Sequence, residues 1–218
     1  MSQDPNNPNR LSPDAMAGGV FDISTSVTGE FFGGLYGTYN FSSGATFDNG
    51  TGRAIFVSSG TGNASTVNLA SMVTGRVQFN GIDTLNFQDG SEVNASSFST
   101  AISVTANGSN PVIVNFAGDT TGPSGLSAGD NTTVNFSETA SITGTSSGGV
   151  DIAVDENSTV NIAGDISDVS EAIDGESGVF VNIESTATLN VTTGLYICLL
   201  YTSPSPRDAT LSRMPSSA

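Results

Sequence analysis

A four-residue pattern recurs along the chain and limits what it can fold into: Thr66-Val67-Asn68-Leu69, Thr84-Leu85-Asn86-Phe87, Ile113-Val114-Asn115-Phe116, Thr133-Val134-Asn135-Phe136, Thr159-Val160-Asn161-Ile162 and Thr188-Leu189-Asn190-Val191. Its asparagines fall 18, 29, 20, 26 and 29 residues apart, which marks a repeat whose connections vary in length. Each copy reads apolar, Asn, apolar, so a strand places Val160 and Ile162 on one face and Asn161 on the other. One such face is too narrow to be stable alone and has to stack on its neighbours. A second apolar alternation precedes most copies, as in Ala101-Ile102-Ser103-Val104 and in the stretches 150–154 and 179–183. Gly, Ser, Asp and Asn fill the joints, where tight turns need them. Helical spacing of apolar residues does not recur, and β-branched residues and glycine are dense throughout.

These features predict an all-β chain, a right-handed parallel β-helix (β-solenoid) of irregular coils of 18–29 residues, each coil stacked on the last. In that arrangement the outward asparagines form a column, and amides in register can hydrogen-bond from one to the next. The unequal spacings argue against a common register. The expectation is therefore that Asn occupies solvent-facing strand positions without a ladder. Along the chain, residues 1–18, with the run DPNNPN, read as a disordered lead-in. Residues 19–60 carry most of the aromatics and no clear copy of the motif, and read as an N-terminal cap or diverged coils. The solenoid repeats occupy 61–196, and 197–218 is a separate tail.

The charge balance sets the chemistry that is open to the chain. Only 12% of residues are charged, with 21 acids against five arginines and no lysine or histidine, for a net charge of −16. Such a field repels phosphate backbones and anionic lipid surfaces, so nucleic acid is excluded as a partner. No stretch approaches the roughly 18 apolar residues of a membrane helix, so no membrane insertion by this segment is expected. The N-terminus lacks the basic start and apolar core of a secretory signal. Cys198 is the only cysteine, which leaves neither a disulfide framework nor a thiolate metal site.

Candidate sites are correspondingly thin, and no catalytic, cofactor-binding or metal-binding residue is assigned. Arg53 and Arg76 are the only basic side chains in the expected folded region, whereas cutting acidic polysaccharides calls for bases that hold carboxylates and move protons. Without His, Lys or an upstream Cys, most nucleophile and base pairings are unavailable. Inverting hydrolysis by two carboxylates stays possible, with no pair set apart from the rest. The acids Asp165, Asp168, Glu171, Asp174 and Glu176 could offer oxygen ligands to Ca²⁺. They lack the order of an EF-hand loop or of a calcium-binding β-roll, and read as a solvated loop. The glycines of residues 58–63 (SSGTGN) form an incomplete phosphate-loop pattern and read as a turn.

The stretch GDNTTVNFSETASITGTSSGGVDIAVDENSTVNIAGDISDVSEAIDGESGVFVNIESTATLNV resembles the passenger region of bacterial autotransporters and related surface β-helix proteins, over roughly residues 60–193. The resemblance lies in coils that are poor in lysine and free of cysteine. It implies a fragment of a secreted, surface-exposed protein, extracellular or on a bacterial cell surface, that is structural or adhesive rather than enzymatic. Implied partners are a host or neighbouring-cell surface glycan or protein, with self-association through exposed solenoid ends. The alternative is a secreted glycan-active β-helix enzyme, a polysaccharide hydrolase or lyase. The tail resembles something other than protein. CLLYTSPSPRD, from Cys198 to Asp208, looks like translated transposase mosaic-end and adapter DNA from a sequencing library, and SRMPSSA like the flow-cell end that follows a barcode.

Overall fold

The computed structural model describes residues 2–4, 7–12, 18–34, 36–59, 64–95, 100–106, 111–145 and 150–197. Among them there are strands and turns and no helix. The chain is a parallel β-solenoid. Its first sheet has eight strands: β3 (Gly19–Ile23), β6 (Gly37–Phe41), β8 (Thr66–Leu69), β10 (Thr84–Phe87), β13 (Val112–Phe116), β16 (Thr132–Phe136), β19 (Thr159–Ile162) and β21 (Phe180–Ile183). All neighbours pair parallel and without a register shift, so Asn68 lies beside Asn86 and Asn86 beside Asn115.

The second sheet, of 14 strands, covers the other two sides of each coil. It holds β1 (Ser2–Asp4), β2 (Asn7–Ser12), β4 (Val27–Thr28), β5 (Glu30–Gly33), β7 (Thr46–Ser58), β9 (Met72–Ile82), β11 (Glu92–Asn94), β12 (Ile102–Ala106), β14 (Asp119–Gly122), β15 (Leu126–Ala128), β17 (Ser141–Gly144), β18 (Val150–Val154), β20 (Asp165–Gly175) and β22 (Thr188–Ile197). The long strands turn a corner within themselves. The first residues of β9 pair with β11 and its later ones with β12. Gly75 sits at that corner with φ of 115°, and a Cβ there would lie 2.6 Å from the Gly52 carbonyl oxygen, so only glycine fits. β20 turns likewise at Asp168, with φ of 64°, pairing with β17 before the corner and β18 after it.

The core is a set of side-chain columns running along the solenoid. From the first sheet come Val67, Leu85, Val114, Val134 and Val160, and two residues on, Leu69, Phe87, Phe116, Phe136 and Ile162, all buried. Phe116 lies between Phe87, 4.7 Å away edge-on, and Phe136, 5.1 Å away. Opposite them, Ile55, Val77, Ile102, Leu126, Ile152 and Ile173 stack in register. The turn after the first sheet repeats with the same bond, from Ala45 N to Ser42 O, Ser91 N to Gln88 O, Ala140 N to Ser137 O and Ala187 N to Glu184 O. The corner before the first sheet places Asn131, Asn157 and Gly178 in left-handed backbone, a conformation that Asn and Gly adopt at least cost.

Three parts of the chain depart from the sequence reading. Residues 165–174, expected as a solvated loop, form the strand β20 with Ile166, Val169, Ala172 and Ile173 buried. The acids fall at every third position because the corner at Asp168 resets the alternation of the strand. Thr188-Leu189-Asn190-Val191 is no first-sheet strand: it opens β22 in the second sheet, with Asn190 opposite Ser167. Its place is taken by Phe180-Val181-Asn182-Ile183, which has the same alternation and arrives 21 residues after Asn161. Within the expected lead-in, β1 and β2 form an antiparallel pair, and β2 lies along β5 through Arg10 opposite Glu30 and Leu11 opposite Phe31. The unpaired backbone groups at the edge of β5 account for that addition. Of the two alternatives for residues 19–60, β3 to β7 are the diverged coils: β3 and β6 stack in the first sheet, with Asn40 beside Asn68, and β4, β5 and β7 in the second. The tail from Cys198 lies outside the described residues, and Ile197 pairs with Gly175.

Replacing Phe116 by Ala removes the middle ring of the aromatic run, at a site 1% exposed. The expected loss is about 3–5 kcal/mol of unfolding free energy, read from urea midpoints followed by far-ultraviolet circular dichroism. A loss below about 1 kcal/mol would contradict the packing of this column.

Candidate binding face

The outward side of the first sheet carries a continuous chain of side-chain amides. Asn68 donates from Nδ2 to Asn40 Oδ1 at 2.7 Å, Asn86 to Asn68 at 2.7 Å, and Asn115 to Asn86 at 2.9 Å. Asn135 donates to Asn115 and Asn161 to Asn135, both at 2.9 Å, and Asn182 to Asn161 at 2.7 Å. All donors point the same way. At the end of the run Asn40 donates to Asp22 Oδ1 at 2.7 Å, so the line closes on a carboxylate, a group that only accepts.

This corrects the expectation that unequal spacing keeps the asparagines out of register. Steps of 18, 28, 18, 29, 20, 26 and 21 residues all return to the same rung. The differences in length are taken up elsewhere in the coil. Between Asn68 and Asn86 the single strand β9 covers two sides, while between Asn86 and Asn115 the separate strands β11 and β12 do so with longer connections. Asn190, expected in the column, is not part of it, and Asn182 and Asn40, which were not counted in the motif, are. The missed members carry the same signal in weaker form, since Tyr39-Asn40-Phe41 and Val181-Asn182-Ile183 also alternate apolar, Asn, apolar.

Two residues before each amide stands a second outward rank: Thr38, Thr66, Thr84, Ile113, Thr133, Thr159 and Phe180. On the other side of the amides runs an open groove of about 380 Å³, lined by Asn115, Asn135 and Asn161, bordered by Ala117, Ser137 and Ala163, and carrying one charge, Glu184, at its end. From β6 to β21 no outward position of this sheet carries a charged side chain. Apart from Asp22 in β3 and Glu184 just after β21, the acids on strands lie elsewhere, as with Glu92, Asp119 and Asp165 on β11, β14 and β20 of the second sheet.

The residues weighed from the sequence as possible acids, bases or ligands do not converge. Arg53 is committed to its own surroundings: Nη2 lies 2.9 Å from Glu30 Oε1, Nη1 donates to Gln78 Oε1 at 2.9 Å, and the guanidinium sits 3.7 Å over the Phe56 ring. Arg76 is in register beside Arg53 on the next coil. Asp165 lies before the corner of β20, Glu171 and Asp174 after it, and the corner separates them. Among the described residues no three of His, Cys, Asp or Glu gather as a metal-binding group. Of the residues 58–63, Ser58 ends β7, Ser59 is buried, and 60–63 lie outside the described residues.

One acid was not legible in advance. Asp151, in β18, is 0% exposed and neither carboxylate oxygen has a hydrogen-bond partner. Strict alternation in Val150–Val154 would turn it outward, but at this corner two consecutive residues face in. The residue before most of the stacked apolar side chains shows the same: Ala54 before Ile55, Ala101 before Ile102, Gly125 before Leu126 and Ala172 before Ile173 are buried, and only Arg76 before Val77 is exposed. Asp151 occupies this column of Ala and Gly. Burial pushes its carboxyl up to about 8, so it is neutral at pH 7. The Asp155 carboxyl is raised too, by burial and then by the Asp130 charge.

Two outcomes are expected. Asn135→Ala removes one donated and one accepted bond and should cost about 1 kcal/mol, whereas Asn190→Ala, outside the ladder, should stay within about 0.5 kcal/mol of the parent; equal effects of the two would deny the ladder. For Asp151 the folded-state pKa lies above the unfolded one, so the folded protein holds the extra proton between pH 3.8 and about 8. Its stability contribution is fully present below the unfolded value and is lost as pH rises through this window. Asp151→Ala, which matches its column, should raise the urea midpoint at pH 8 and flatten the fall in stability with pH, a fall of up to ~1.4 kcal/mol per unit. An unchanged slope would show that this carboxyl does not titrate on unfolding.

No protein-family model matches the chain, and neither a curated protein nor a solved structure is significantly similar to it.

Proposed function

We propose that this chain is a segment of a non-catalytic surface solenoid, structural and adhesive, of the kind found in autotransporter passengers. The observation that carries the reading is the amide ladder along the whole first sheet. The chain repeats its one characteristic side chain to fix the stacking of coils and to present a long neutral face. Catalysis calls for the opposite, a few unlike groups converging on one point. The ladder also fits a rod that holds its shape outside the cell, because each rung is tied by backbone and side-chain bonds to the next. The secreted, surface-displayed setting belongs to this proposal, as do the glycan or protein partner on another cell and the assignment of the segment after Ile197 to translated adapter DNA.

The test uses the purified full chain on two assays. Beads coated with it are expected to adhere to bacterial or epithelial cells above albumin-coated beads. In parallel, a panel of neutral and acidic polysaccharides is expected to yield neither new reducing ends nor unsaturated products. Release of oligosaccharides would replace this reading by the glycan-active enzyme, and absence of adhesion to every surface would remove the adhesive role.

A further inference from the structure

The first sheet differs from the rest of the molecule in three ways at once. Its pairing has no register shift from β3 to β21, whereas the second sheet shifts between β7 and β9, β9 and β12, and β20 and β22. Its outward positions from β6 onward are uncharged in a chain of net charge −16. They also form two ranks across seven strands, Asn at all seven positions of one and Thr at five of the other, with Ile113 and Phe180 at the remaining two. Parallel strands repeat at about 4.8 Å, and residues two apart on a strand stand roughly 6.6 Å apart. The outward positions therefore form a two-dimensional lattice, roughly 30 Å long on that spacing.

We propose that this threonine and asparagine lattice binds the surface of ice crystals. The symmetry of the face selects the class of ligand. An isolated glycan or peptide is recognised by unlike groups at fixed places, and here one Thr and Asn pair recurs on five of seven strands, varied only by Ile113 and, on the last strand, Phe180. A ligand that gains from every repeat must itself repeat in two directions, as the oxygen lattice of ice does on a similar scale. Charge points the same way: an ionised side chain keeps its own hydration shell and disrupts ordered water, and this face has none between Asn40 and Asn182.

Rigidity completes the argument, because mobile side chains would lose entropy on meeting a crystal. Thr is stiff about χ1, and each Asn is held by bonds of 2.7–2.9 Å to its neighbours. The ladder uses one N–H and one acceptor site of each inner amide and leaves the other N–H and acceptor capacity facing out. The threonines take no part in the amide ladder, and each offers a hydroxyl for hydrogen bonding beside a methyl for apolar contact. Ile113, 44% exposed in the middle of the Thr rank, keeps the β-branch and the methyl and loses only the hydroxyl. The inference stands on the face alone and holds or fails independently of where the chain is displayed.

The experiment measures thermal hysteresis of the full chain in a nanolitre osmometer, together with its partition into a slowly growing ice hemisphere. Faceted crystals, a freezing point held below the melting point and enrichment in the ice fraction are expected. Thr84→Tyr and Thr133→Tyr place a bulky ring on the lattice from outward positions and should each lower hysteresis at least tenfold with an unchanged circular dichroism spectrum. Thr74→Tyr, an exposed position of the second sheet, should leave it unchanged. Absence of hysteresis and of ice enrichment in the folded full chain overturns the proposal. So does retention of activity in both first-sheet variants, or binding to crystalline cellulose or chitin in the absence of any ice activity.

Discussion

Everything in this molecule depends on the register of the first sheet. Backbone hydrogen bonds between parallel strands are indifferent to sequence, and they would form as well after a slip. A slip of one residue would turn Asn135 inward against Phe116 and expose Val134, which the core forbids. A slip of two keeps apolar residues inside, and against that the apolar pattern alone is weak. The amide chain supplies the missing discrimination, since Asn opposite Thr would break the line of bonds that runs from Asn182 to Asp22. Its closing on a carboxylate gives the line a direction as well, with every donor facing the same end.

With the register held on one side, the other two sides are free to vary. Coils of 18 and 29 residues share the same rungs because their extra residues leave the ladder and return to it. The corners are where this freedom meets its limit. Gly75 has a positive φ and no room for a side chain, and the buried corner column admits Ala, Gly and, once, Asp151. A protonated carboxyl is tolerated there at a cost, its oxygens unpaired in an apolar surrounding.

The same division of labour separates charge from regularity. Most acids on strands and the Arg53 cluster occupy the sheet whose strands bend and shift, while the straight sheet is uncharged at its outward strand positions from β6 onward. Like charges stacked at strand spacing would repel along a ladder, whereas amides stacked at that spacing attract. A neutral amide is thus the side chain that a straight outward column can repeat most cheaply, and the neutral, rigid surface follows from the stacking that made it.

Much of this was legible in the residues. Alternation of apolar residues with Asn, dense glycine and the absence of helical spacing determine strands, stacking and the inward set, because these follow from the period of a strand and the need to bury a narrow face. What the alternation could not decide was which copies share a rung. Asn190 matches the motif better than Asn182 does, yet lies on another side of the coil, since position along a coil is counted by contacts and not by residues. The ladder itself was hidden for that reason, as its unequal steps look out of register until the connections are seen to absorb them. Corners hid the rest: at Asp168 and before Ile152 the backbone leaves the regular strand, the period of two is reset, and a run of acids becomes a buried strand while Asp151 turns into the core.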